Sequence, residues 1–143
     1  MSPLTAHHVG ITVEALDRTL PFYRDVLGLE VLDRFSVSGA AFADAVDVPG
    51  ATGRFAHLDA GGARLELVEY DPEADSRTPP ALNQPGATHV GLAVDDLDAR
   101  FEALPEDVEA LCEPRTTESG TRICFLRDPE GNLVELLEVE RGR

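Results

Sequence analysis

Lysine is missing altogether from this 143-residue chain: all 12 basic residues are arginines, set against 27 acidic ones, for a net charge of −15. Without lysine there is neither a P-loop lysine for phosphates nor a Schiff-base lysine for carbonyls. The acidic excess argues against nucleic acid or an anionic membrane surface as partner, since both carry the same sign. Two origins of that composition stay open: a halophilic, salt-rich cytoplasm in which screening over a few ångströms removes self-repulsion, or a GC-rich genome. Cysteine is nearly absent too. Cys112 and Cys124 form no CxxC pair and have no nearby histidine, which excludes zinc-finger and dithiol-redox readings. They are expected on neighbouring strands, where a disulfide is conceivable and two reduced, partly buried thiols are the expected state in a cytoplasm. No apolar run approaches the ~18–20 residues that span a bilayer, and the start Met-Ser-Pro-Leu-Thr lacks the regions of a signal peptide. A cytoplasmic protein acting on a small molecule is the expectation.

What the chain does have is a repeat. His8-Val9-Gly10-Ile11-Thr12-Val13 returns as His89-Val90-Gly91-Leu92-Ala93-Val94, and Leu65-Glu66-Leu67-Val68 returns as Val134-Glu135-Leu136-Leu137. Each half opens with a histidine and closes with a glutamate, as a duplicated supersecondary unit would. Successive side chains of a strand point to opposite faces. His8, Gly10 and Thr12 therefore share one face and Val9, Ile11 and Val13 the other, and the second copy divides in the same way. Glu66 and Glu135 are opposed to the aliphatic residues on either side of them. A single histidine or glutamate so placed is ordinarily the wet side of a half-buried strand. Four of them in matched positions are a ligand set, and we expect His8, Glu66, His89 and Glu135 to share one divalent metal.

The length suits a single domain. The repeat divides it into module one (1–71), a linker (72–86) carrying Pro72, Pro79, Pro80 and Pro85, and module two (87–143). Each module reads β-α-β-β-β, an α+β fold. In module one Asp17 is placed to cap a helix through Leu20, Phe22, Tyr23, Val26 and Leu27, with Pro21 in its first turn and Gly28 at its end. Strands are expected near 30–37, 54–59 and 63–70, the last two joined at Ala60-Gly61-Gly62. In module two Asp96 caps a helix over 97–104 that Pro105 stops. Strands follow near 108–115, 121–127 and 132–139, the last pair turning at Asp128-Pro129-Glu130-Gly131-Asn132. Residues 38–53 are either a loop whose short helical turn covers the site or a plain surface excursion.

The paired order, the HVGITV and HVGLAV openings, the LELVEY and LVELLE endings and the DPEGN turn resemble the vicinal oxygen chelate superfamily. Its members include glyoxalase I, methylmalonyl-CoA epimerase, type I extradiol dioxygenases and the fosfomycin and bleomycin resistance proteins. The resemblance spans nearly the whole chain, and it implies curved sheets forming a cleft around a divalent metal held by His8, Glu66, His89 and Glu135. Two imidazoles and two carboxylates suit a six-coordinate ion of the Ni, Co, Zn, Mn, Mg or Fe group. This set is most similar to that of glyoxalase I, which implies a lyase/isomerase that stabilises an enediolate by chelation while a glutamate moves a proton. The same resemblance gives Glu135 as first choice for that base and Glu66 as second.

Other members fit less of the pattern. A methylmalonyl-CoA epimerase carries a further glutamate where this chain has Gly50, with Asp44 and Asp47 close by. An extradiol dioxygenase needs two histidines and one carboxylate, for which His8, His89 and Glu135 would serve and Glu66 would be superfluous. A fosfomycin-type transferase needs basic residues that are not evident. A bleomycin-resistance-like binder would use the acidic charge to sequester a cationic drug, yet such binders usually lose the ligands present here. Tyr70 and Phe55 are either pocket lining or packing, His57 either reaches the cleft or is bonded within its sheet, and His7, alternating with His8, is structural. Arg64 and Arg122 either bind a substrate carboxylate or pair with acids. A homodimer is expected, because one such module leaves open sheet edges that a second closes. In glyoxalase-like relatives the pairing often runs between subunits, with His8 and Glu66 of one chain joining His89 and Glu135 of the other.

Overall fold

The computed structural model of the protein describes residues 2–139. The chain forms two compact units, the first ending at Arg77 and the second beginning at Thr78. No helix among the described residues is long and apolar enough to cross a membrane.

In the first unit the chain runs β1 (Val9–Thr12), α1 (Leu16–Pro21), β2 (Glu30–Val37), α2 (Ala40–Val46), β3 (Thr52–Asp59) and β4 (Arg64–Asp71). The sheet order is β1-β4-β3-β2, with β1 parallel to β4 and the other pairs antiparallel. The second unit repeats the plan: β5 (His89–Ala93), α3 (Leu97–Glu102), β6 (Glu109–Ala110), β7 (Arg115–Thr116), β8 (Arg122–Arg127) and β9 (Leu133–Glu138), in the order β5-β9-β8-β6 with β7 also on β8. Again the opening strand lies parallel to the closing one. This is the α+β fold of two β-α-β-β-β units that the repeat implies.

One face of each sheet carries its helix. Leu16, Leu20 and Tyr23 are buried, as are Leu58, Leu65 and Leu67, in the first unit, and Leu97 is buried with Leu126, Val134 and Leu136 in the second. Each such aliphatic side chain contributes about 1.5–3 kcal/mol by leaving water. The alternation of β4 and β9 sends these residues to the helix side and Glu66 and Glu135 to the other.

Helix entry differs from the sequence expectation in the first unit. Ala15, not Asp17, stands at the cap and makes no side-chain capping bond. Instead the Leu16 N–H donates to Glu69 Oε1 at 2.8 Å, and in the second unit the Leu97 N–H donates to Glu138 Oε1 at 2.9 Å. Glu69 and Glu138 follow Glu66 and Glu135 by three residues, so they face the helix and neutralise an orphan donor at its positive end. Asp17 is free for another job and pairs with Arg34 and Arg54. Pro21 closes α1 rather than opening it, and the chain continues through a wider π turn over Phe22–Val26, in which the Leu27 N–H reaches Phe22 O, before Gly28 leaves the helix at φ +77°. In the second unit Asp96 caps α3 as expected, accepting from Ala99 N–H.

The strand expected over 108–115 is broken into β6 and β7. Pro114 lies between them and has no N–H to give to a ladder. The DPEGN turn forms as read: the Asp128 N–H donates to Asn132 O, and Asp128 Oδ1 accepts from the N–H groups of Glu130 and Asn132. Gly131 has φ +84°, and a Cβ there would lie 2.6 Å from Pro79 Cγ. Gly131→Ala is therefore expected to cost at least about 1 kcal/mol through left-handed strain and overpacking together. A lower urea midpoint at unchanged m-value would show it; an unchanged midpoint would contradict it.

Candidate metal centre

The sheet face opposite the helix carries the candidate ligands. In the first unit Gly10 of β1 lies in register with Glu66 of β4, and His8 immediately precedes β1. His8 Nε2 stands 3.5 Å from Glu66 Oε2. In the second unit His89 opens β5, Gly91 is in register with Glu135, and His89 Nε2 stands 3.4 Å from Glu135 Oε1. Each glycine flanks its carboxylate: a Cβ on either would stand in ordinary contact, 3.5 or 3.6 Å, with Oε1. The carboxylates are mostly sunk, at 13% and 18% exposed, while the imidazoles are open at 37% and 41%. Each unit thus brings one nitrogen and one oxygen to its own face.

The donor set suits a divalent cation. Ligands about 2.1 Å from a shared ion and at right angles to one another stand about 3 Å apart, close to the separations within each pair. Two carboxylates balance a double positive charge, and neutral imidazole with carboxylate oxygen is a borderline set acceptable to most first-row ions. Among the described residues no three ligating side chains gather tightly enough to hold an ion by themselves.

His57 takes up a place that sequence reasoning left open between cleft and sheet. It lies opposite Glu66 in the β3–β4 register, and its Nε2 is 2.7 Å from Glu66 Oε2. The ring is buried, edge-on to Phe35 at 5.1 Å, with Arg64 Nη1 3.4 Å from its Nδ1. Arg64, itself exposed, thus meets the His57 ring rather than an acid. His7 corrects a simpler expectation. It does not point away from His8: the two Nδ1 atoms are 2.8 Å apart, because strand alternation begins only at Val9. The structure therefore gathers three imidazoles beside Glu66, with ring centroids 5.1 Å (His7–His8) and 5.7 Å (His8–His57) apart.

Aromatic rings extend the same face of the first unit. Phe55 is buried and stacks on Phe35 at 5.0 Å, while Tyr70 stacks on Phe42 of α2 at 6.2 Å. The short helix in 38–53 is thus real, and it lays Phe42 over Phe55 and Tyr70. In the second unit Phe125 stands opposite Glu135 and meets His89 edge-on at 5.2 Å. Arg122 is on the helix side and binds Asp98, with Nη2 to Oδ1 at 2.7 Å, which removes it from the site. It repeats the Arg54–Asp17 pair of the first unit. Cys112 is exposed and Cys124 buried, both as free thiols, and burial raises the Cys124 pKa.

For His57 the sequence left cleft and sheet both open, and the structure bonds it across the sheet to Glu66; the second copy has phenylalanine in its place, so the repeat gave no signal to choose. Glu69 and Glu138 were legible in the repeat itself, three residues beyond the ligands in both copies.

The chain is similar to known proteins. A 2-epi-5-epi-valiolone epimerase of an Actinomyces species is 31% identical over 97% of this chain and 81% of its own length. The lactoylglutathione lyase of Schizosaccharomyces pombe is 26% identical over 96% of this chain, which spans about half of that enzyme's length. A glyoxalase family protein from Bacillus cereus has a crystal structure that matches 96% of this chain and 95% of its own at 28% identity, with a TM-score of 0.83. Residues 5–136 match the sequence pattern of the Glyoxalase/Bleomycin resistance protein/Dioxygenase superfamily, and the chain belongs to that superfamily.

Proposed function

We propose that the protein is a divalent-metal-dependent enzyme of glyoxalase I-like lyase/isomerase type, which moves a proton on the carbon skeleton of a small α-hydroxycarbonyl compound. The observation that carries this is the duplicated imidazole–carboxylate pair, His8 with Glu66 and His89 with Glu135, each beside a glycine. On this reading the four side chains hold one ion of the Ni, Co, Zn, Mn, Mg or Fe group. When bound, the ion supplies Lewis acidity toward the charge that grows on two neighbouring substrate oxygens as a C–H bond breaks. The chain's own work is positioning and proton transfer. His8 and His89 present ring nitrogens, Glu66 stands beside His8, and Glu135 takes the proton from one carbon and returns it to the next.

The relationship to the Actinomyces epimerase favours a second form of the same chemistry. On that reading one carboxylate takes the proton from one face of a carbon and the other, in its acid form, delivers a proton to the opposite face of the same carbon, with Glu66 and Glu135 as the two groups. The exposed Leu32 and Phe35 on the edge strand β2 suit a homodimer, which sedimentation in molar salt would test.

The chain loaded with each ion in turn distinguishes these readings. Conversion of a methylglyoxal–thiol hemithioacetal to a 2-hydroxyacyl thioester supports the lyase, and inversion of a carbinol centre in a cyclic polyhydroxy ketone supports the epimerase. Stoichiometric binding of either compound without product identifies a sequestering protein and ends the enzyme reading.

A further inference from the structure

Resting on the metal-site reading above, we infer that His57 is a positioning residue that seats Glu66 in one orientation, and that Phe125 in the equivalent place leaves Glu135 able to move. The duplicated carboxylates are thereby made unequal, one fixed and one mobile.

The comparison is internal to the molecule. β3 runs antiparallel to β4 and β8 antiparallel to β9, so His57 opposite Glu66 and Phe125 opposite Glu135 are the same station in the two copies. At that station one copy places a hydrogen-bond donor and the other a hydrocarbon ring. The 2.7 Å bond from His57 Nε2–H to Glu66 Oε2 is a short, charge-assisted contact in a mostly dry place, where such bonds are strongest. The ring is held from its other side as well. Arg64 Nη1, which can only donate, lies 3.4 Å from Nδ1, which makes Nδ1 the acceptor and Nε2 the protonated nitrogen. Phe35 meets the ring edge-on at 5.1 Å. Glu66 thus has Oε2 bonded to His57, while Oε1 lies on the open side toward Gly10.

Glu135 has no such partner. Among the described residues the only side chain within ion-pair distance of it is His89, at 3.4 Å, and Phe125 offers it nothing to accept. A carboxylate that must leave its seat to carry a proton gains from that freedom, whereas one that only holds its place gains from a tether.

The test is metal affinity of the full chain, measured with nickel(II) and zinc(II) by competition against a chromophoric chelator. His57→Phe, which makes the first station like the second, should weaken binding by about 10–100-fold, and His57→Gln, which keeps a donor toward Glu66, should recover most of it. If circular dichroism shows that His57→Phe does not fold, His57→Met replaces it as the variant without a donor. Unchanged affinity in a folded donor-less variant, or no recovery with glutamine, overturns the assignment of His57. The reciprocal variant Phe125→His should lower kcat at least about tenfold by tethering Glu135, with KM little changed; an undiminished kcat overturns the mobility of Glu135. Glu66→Ala and Glu135→Ala, each of which removes a candidate ligand oxygen altogether, separate this from the parent reading. If neither weakens metal binding, the metal site itself is wrong, and if they do while His57→Phe does not, only the positioning role fails.

Discussion

Glu135→Gln should lower kcat by about 100- to 10,000-fold while the protein keeps its fold and most of its metal affinity. The amide retains an oxygen that can face an ion, so the loss falls on proton transfer and not on binding. Gly91 leaves the side chain's flank open, and Phe125 does not hydrogen-bond to it, so glutamine fits the same space without new strain. The contrast with Glu66 is part of the expectation. Glu66→Gln places an amide against the His57 Nε2–H, which must then rotate its oxygen to that donor and its NH2 toward the open side. Its loss should therefore appear first in metal affinity, and only secondarily in kcat at saturating ion. Steady-state kinetics with the ion in excess would show the split. A Glu135→Gln protein that retains more than a tenth of wild-type kcat would remove Glu135 as the base.

Much of this architecture is readable in sequence because two independent periodicities coincide. The period of two within HVGITV and LELVEY fixes which side chains leave the helix face, and the recurrence of both segments fixes that it happens twice. The register bears this out, with Gly10 beside Glu66 and Gly91 beside Glu135. Where a single periodicity had to carry the reading, it failed. His7 was assigned by alternation alone, but it lies before β1 and turns to meet His8. The strand over 108–115 was read from composition, and Pro114 interrupts it. Asp17 has the residue type of a cap, yet the helix N-terminus is served by Glu69 from a distant strand, a long-range partner that no local pattern announces. His57 is the instructive case for function. The repeat draws attention to what the copies share and is silent at the station where they differ, so the sequence left His57 between cleft and sheet.

Stripping the ion with a strong chelator should abolish turnover, and adding back a single divalent ion should restore it. The same ion should stabilise the fold, because anything that binds only the folded chain adds RT ln(1 + [L]/Kd), about 4 kcal/mol at a thousandfold excess over Kd. Which residues lose that increment decides between two sites. The first unit alone has His7, His8, His57 and Glu66 close together, and an ion held there would not depend on the second unit. An ion shared by both pairs would depend equally on His8 and His89, since each supplies one nitrogen next to one carboxylate. Ala at either position should then erase most of the metal-dependent rise in Tm and most of the activity. The second unit has no other imidazole to compensate, so His89→Ala is the sharper of the two. A His89→Ala protein with the full metal-dependent shift would confine the ion to the first unit and separate Glu135 from it.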